Sequence, residues 1–308
     1  MGDGYDAREI ADGTYLQQMQ EAIGHFFNVE PYSTYKDYFN AHIVFARSEE
    51  SGIETVNTIV ENKFGAYLPS RIELQRLDDV FVYAKKAPIR DLNHTTAIVL
   101  VNSSIYEGVT YMYDDGSAVA VCPVSQNAYP YDFRGIIQHE AGGHGFGKLG
   151  DEYIYHNAYI ESCYLCGDAT QPVRRAKANG WYRNLELTED WNEVGWSHLI
   201  FNPSYSDIVD VYEGSYMHTR HIWRSETISC MNNNIPYFST ISRQAIVERI
   251  MDYAGEEFTL EKFYAKDSRT VGPKSAPQSK PLSKFPVPTL PVHSHEHGPI
   301  FMGEHPNV

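Results

Sequence analysis

Hydrophobic positions along the chain alternate between helical and extended patterning. Residues 6–28 carry Ile10, Tyr15, Met19, Ile23, Phe26 and Phe27 at helical spacing, which predicts a helix. AHIVFARS (41–48) reads as a strand, with a loop at EESG. VFVYAKKAP (80–88) and TTAIVLVNS (95–103) read as two more strands, rich in β-branched and aromatic residues. VTYMY, the turn DDGS and AVAVCPV read as a hairpin, because Asp-Gly favours a tight turn. A helix is predicted to begin near Asp132 or Phe133. Another is predicted over 239–254, with Ile241, Ala245, Ile246 and Ile250 on one face. Helix and strand alternate and then deliver a helix behind a hairpin, which predicts an α/β layered fold. Residues 154–230 are irregular, rich in Tyr, Trp and Asn. From about Lys266 the chain turns Pro- and Ser-rich, as in an extended strap or linker with no core of its own.

Composition narrows the function classes. The chain has 308 residues, 42% of them apolar, enough for a large core. Its formal net charge of −15 argues against a nucleic-acid partner, which would need a basic surface. No apolar run approaches the roughly 20 residues that cross a bilayer. No signal peptide is visible at MGDGYDAREI, and the true start is expected upstream. An acidic, Tyr-rich, Lys-poor surface suits a secreted, periplasmic or cell-surface protein. Cys163 and Cys166 form a CYLC pair that could be half of a zinc site, but the other cysteines, Cys122 and Cys230, are not paired as CxxC. Buried thiols or a disulfide are the expected reading. His293, His295 and His297 alternate near the end and could face one metal, though a solvated tail is the expectation.

The chemistry concentrates in HEAGGHGFGKLGDEY, residues 139–153. The zinc-peptidase motif H-E-x-x-H puts two histidines four residues apart, with a glutamate beside the first as general base. Here His139 and His144 are five apart. On a regular α-helix a spacing of four leaves side chains about 40° out of line, and a spacing of five roughly 140°. A π-type bulge at Gly142 and Gly143 would absorb the extra residue. A straight helix would instead favour Glu140 and His144 as ligands. Gly147 is a candidate helix stop with positive φ. The turn there would bring back Asp151 or Glu152, with Asp151 preferred as third ligand and Glu152 holding a bond behind it or a cap. Calcium near Asp114 and Asp115 or in the acidic loops is a further option, without EF-hand spacing to support it.

This segment resembles the active-site segment of the M64 peptidases, the IgA-peptidase-type family also called igalysins, in the metzincin clan of zinc peptidases. MGDGYDA, YFNAHIVFARSEESGI and SCMNNNIPYFSTISRQAIVERI resemble further family blocks, so the likeness covers 1 to about 255. It implies a metzincin-like fold: a twisted mixed sheet with a backing helix and an active-site helix, and an irregular lower lobe with a C-terminal helix. A catalytic domain is expected at 1–264, its upper lobe at about 1–147 and its lower lobe at about 148–264, followed by a tail at 265–308. The resemblance also implies one catalytic Zn2+ on His139, His144 and Asp151, with Glu140 as general base. Met231 would form a Met-turn. The metzincin pattern is HExxHxxGxxH; this chain lengthens both intervals by one and puts Asp where His is standard.

The expected activity is zinc-dependent hydrolysis of peptide bonds in protein or peptide substrates. Tyr237 is a candidate for the oxyanion, and the strand at 118–121 for pairing with an extended substrate. Two alternatives stand beside it. One is an inactive binding module for extracellular protein or glycan, using the Trp-rich NGWYRNLELTEDWNEVGW surface. The other is a dipeptidyl-peptidase III-like exopeptidase, which shares the HExxxH spacing.

Overall fold

The computed structural model describes residues 1–154, 170–271 and 298–306. The chain is a mixed α/β protein of two compact units. One holds residues 1–28, 37–146 and 294–308, the other 29–36 and 147–293. The CYLC pair and the three tail histidines fall outside the described residues.

The first unit is built on a five-stranded sheet in the order β1-β5-β7-β6-β11. These strands are Gly2–Asp3, Thr96–Val101, Ala118–Pro123, Val109–Met112 and Ile300–Phe301. β5 runs parallel to β7, and β6 returns antiparallel in the hairpin the sequence predicts, Thr110 opposite Ala120. Every residue of β7 is buried, as a strand of small and β-branched residues covered on both faces should be. β7 therefore lies between two partners. It cannot accept an added peptide strand, contrary to the expectation for 118–121, because both rows of main-chain groups are already paired. Three short strands, β2 (Glu54–Thr55), β3 (Ala66–Leu68) and β4 (Glu73–Leu74), form a second sheet.

Alternation sends Val99, Val101, Val109, Val119 and Val121 into a cluster with Phe64, Val80, Phe81 and Ala84. The last three lie on α3, Leu77–Ala84. The strand predicted at 80–88 is thus mostly helix. Its β-branched and aromatic residues read alike in either state, but Val80, Phe81 and Ala84 sit at helical spacing on the buried side. Asp78 and Asp79 occupy the first turn, where the helix dipole favours acids. AHIVFARS forms no strand either. It is held by a side chain instead: the Tyr15 hydroxyl donates to Val44 O at 2.7 Å and accepts the Ala46 N–H at 3.3 Å. The helix predicted over 6–28 divides into α1 (Ala7–Ala11) and α2 (Thr14–Phe27), where Gly13 takes φ 90°.

The second unit carries a three-stranded sheet of β8 (Leu185–Glu186), β10 (His218–Arg224) and β9 (Tyr212–Ser215). Its helices are α5 (Gln171–Ala178), α6 (Ser197–Ile200), α7 (Cys230–Asn233), α8 (Thr240–Ala254) and α9 (Leu260–Lys266). α8 lies where the sequence predicts it, and Ile241 packs with Val194, Trp196, Leu199 and Val209. Buried ion pairs, Arg243 with Asp267 and Arg269 with Glu226, tie the segment after α9 to the unit. Trp181 and Trp196 are buried, whereas Trp191 is half exposed. Cys122 and Cys230 are both buried. Among the described residues no helix is long and apolar enough to cross a membrane.

Candidate metal centre

Asp132 starts the central helix by accepting the Gly135 N–H on its carboxylate at 2.9 Å. The first turn, α4 (Phe133–Ile136), is α-helical. From Ile137 to Phe146 the helix is π throughout. Bonding from i to i+5 stacks residues five apart, as i to i+4 bonding stacks residues four apart. His139 and His144 consequently face the same way, with ring centroids 4.8 Å apart and planes at 76°. The extra residue is absorbed over ten residues rather than in the single turn expected. Glycine at 142, 143 and 145 suits that path. At Gly145 a Cβ would come 2.8 Å from Thr96 Cγ2, so the helix lies hard against the sheet there.

Glu140 is buried on the same helix, and two residues of the hairpin place its carboxylate. The Thr110 hydroxyl lies 2.7 Å from Oε2, donating to it, and 3.0 Å from the Glu140 carbonyl. Gly108 forms a wall: a Cβ there would meet Glu140 Cγ and Oε1 at 2.8 Å. Sequence reading missed both. A threonine in a strand carries no signal of its own; the glycine just ahead of the strand was the available cue.

Beyond the helix, the left-handed residue of the turn is Lys148 (φ 52°), not Gly147 as expected. Hydrogen bonds from the lysine's surroundings maintain it: its carbonyl accepts the N–H of Tyr182, itself left-handed (φ 53°). Asp151 follows, fully buried, its carbonyl accepting the N–H of Tyr216, a third left-handed residue (φ 49°). Such costly backbone states cluster where surrounding structure over-determines them. One ligand atom each from His139, His144 and Asp151 lies within 4.8 Å of the others. Ligand atoms about 2.0–2.2 Å from a tetrahedral zinc lie roughly 3.5 Å apart. Two imidazoles and a short carboxylate, all buried, therefore fit zinc after a small side-chain adjustment.

Glu152 faces a different set of groups. Its Oε1 accepts Asn184 Nδ2 at 2.9 Å and its Oε2 accepts Ser229 Oγ at 2.5 Å. Burial nonetheless pushes its carboxyl up to about 7. Asn184 also brackets Gly150, accepting its N–H at 2.9 Å and donating to its carbonyl at 2.8 Å. The Glu152 N–H donates to the Met231 carbonyl at 2.7 Å, and Asn232 Nδ2 donates to the Glu152 carbonyl at 2.8 Å. Met231 is fully buried in the one-turn α7, capped by Ser229 and ended by left-handed Asn234 (φ 59°). Tyr237 closes that turn by accepting the Cys230 N–H on its carbonyl, and its ring lies 4.7 Å beneath the Arg269 guanidinium. Asp115, considered for calcium, accepts the Ser117 N–H and hydroxyl and pairs with His305 at 3.0 Å.

The family model described as IgA peptidase M64 matches residues 1–168. The match spans the stretch from His139 to Glu152 and stops short of Met231 and Tyr237. No curated protein matches the sequence.

Proposed function

Since this chain belongs to the IgA peptidase M64 family, we propose that it is a metzincin-type zinc endopeptidase acting on protein substrates. The observation that carries this reading is the approach of His139, His144 and Asp151 ligand atoms to within 4.8 Å of one another. Those three residues would hold zinc, which when bound acidifies a water and polarises a carbonyl. Glu140 takes the water proton and passes it to the leaving amine. The Thr110 hydroxyl and the space at Gly108 fix where that carboxylate points. Met231 is kept as the Met-turn residue, and its carbonyl steadies the residue after Asp151 through the Glu152 N–H. Tyr237 is kept as the oxyanion candidate.

With β7 enclosed, an extended substrate pairs with the outer edge of the chain leading into β6, beside Glu140. The acidic composition supports a secreted, periplasmic or cell-surface location and peptide rather than nucleic-acid partners.

Metal analysis of protein purified without added zinc should find about one zinc per chain. Glu140→Gln should keep that zinc and lose roughly 10²–10⁴ of peptidase turnover. Asp151→Asn should lower the occupancy. Full zinc with full turnover in Glu140→Gln would remove the general base. A protein that binds a protein or glycan partner but takes up no zinc and cleaves no peptide would be the binding module. Release of only terminal dipeptides would favour the dipeptidyl-peptidase III-like alternative.

A further inference from the structure

The outer side of β6 is occupied by the chain's own β11. Ile300 lies opposite Tyr111 and Phe301 opposite Met112, running parallel. The Met302 N–H donates to the Met112 carbonyl at 2.8 Å, and the Asp114 N–H donates to the Gly303 carbonyl at 3.2 Å. Ile300 and Met302 pack onto the cluster that holds Phe81 and Tyr113. Beyond them His305 Nε2 meets Asp115 Oδ2 at 3.0 Å, and its ring lies 5.5 Å from that of Phe81. Five successive contacts thus bind 300–305 along 111–115.

Successive residues of a strand turn their main-chain groups to opposite edges. Met112 bonds outward to Met302, so Thr110, two residues earlier, turns its main chain outward as well. Thr110 is also the residue whose hydroxyl reaches Glu140. The strap therefore begins where the general base is anchored. Thr110 is itself fully buried, so a peptide pairing with this edge beside Glu140 can extend only as far as Gly108 before it meets the strapped part of β6.

We infer that β11 is a length stop: it closes one end of the peptide-binding edge and sets how many substrate residues fit on one side of the cleaved bond. This rests on the peptidase reading above. The partner it selects is a peptide extended on the open side and short on the strapped side. The parallel run, the packing of Ile300 and Met302 against the core cluster and the His305–Asp115 pair make the stop part of the folded protein, displaced only if several contacts are broken together.

The test uses two ladders of quenched fluorescent peptides around one cleaved bond, lengthened one residue at a time toward the amino end or the carboxyl end. In the zinc-loaded parent, kcat/KM should rise with length in one ladder and stop rising, or fall, in the other. Met302→Pro with His305→Ala removes one main-chain donor and the ion pair. It should raise kcat/KM for the longest peptides of the blocked ladder by roughly tenfold or more, leaving the shortest unchanged. A synthetic copy of residues 298–306 (GPIFMGEHP) should inhibit that variant on long peptides, and not the parent. If the double variant has no melting transition, His305→Ala alone with the same ladders carries the test, with a smaller gain in the same direction. Ladders that rise alike in the parent, or that do not change on release, overturn the inference and leave the peptidase standing. A zinc-loaded parent that cleaves no peptide of any length overturns the peptidase reading itself.

Discussion

The residues proposed as ligands are held by opposite means. His139 and His144 sit on a helix whose position follows from burial: nine of its ten residues are buried, and Gly145 meets the sheet at Thr96. Their relative geometry is set by the local hydrogen-bond pattern, i to i+5, and needs no distant partner. Asp151 sits in irregular chain, and its place is set from far away in sequence. Asn184 brackets Gly150, Tyr216 holds the Asp151 carbonyl, and Ser229 and Asn232 hold Glu152. A helix fixes a side chain cheaply because its backbone bonds are already made. A loop must borrow donors and acceptors, and here it also uses left-handed Lys148, Tyr182 and Tyr216. The helix side should therefore tolerate loss of a polar neighbour and resist changes of shape. The loop side should do the reverse.

The largest expected effect is on the helix side, from shape. Gly108→Ala places a Cβ 2.8 Å from Glu140 Cγ and Oε1. Those atoms end a flexible side chain, so the clash is relieved by moving the carboxylate and not by unfolding. Displacing a general base by about 1 Å costs on the order of hundredfold in rate. Steady-state kinetics should show kcat down by roughly that factor, with zinc content and melting temperature unchanged. A parallel fall in stability would mean the strand had moved instead of the base.

On the loop side, Asn184→Ala should act through lost hydrogen bonds. It orphans the Gly150 N–H and carbonyl and takes a donor away from Glu152 Oε1. Leaving buried groups unpaired costs about 1–3 kcal/mol, and outer partners of a metal site are worth roughly 10–100-fold in affinity. Zinc affinity by chelator competition should drop at least tenfold while kcat at saturating zinc changes little. Unchanged affinity would show that Asp151 does not depend on this bracket.

The same contrast explains what could be read from sequence. The hairpin, the start of the central helix and the helix at 240–254 are local: Asp-Gly turn chemistry, an Asp132 cap and one-sided periodicity suffice. His139 and His144 come together for a reason their spacing and glycines announce. The failures are non-local. Val80, Phe81 and Ala84 are helical because their buried face meets β-strand valines, and 41–48 stays irregular because Tyr15 takes its main-chain groups. Thr110 and Gly108 matter only because the hairpin returns past Glu140, which no spacing reveals. Asn184, more than thirty residues from Gly150, gave no cue at all. That β7 is interior and β6 carries the strap depends on strand order, and the residues forming the strap come from the far end of the sequence.

The smallest effect tests the packing behind the helix. His25, near the end of α2, has its ring 5.3 Å from Phe133 in an edge-on contact, and its carbonyl accepts Gln138 Nε2 at 3.0 Å. Burial pushes its imidazole below its usual 6.5, against the opposing pull of Glu21 and Asp132 and with the help of Arg134. A base whose folded pKa lies below its unfolded value favours folding while neutral. That contribution is complete above about pH 6.5 and is lost as pH falls from there through the lower folded pKa, because the unfolded chain binds the proton first. His25→Gln keeps the main-chain carbonyl and removes the titration. Between pH 7.5 and 5.5 the variant's melting temperature should fall less than the parent's, with both proteins zinc-free so that metal release does not contribute. Parallel slopes would mean the ring is solvated when protonated, and that α2 backs the central helix through its main chain and aromatic contacts alone.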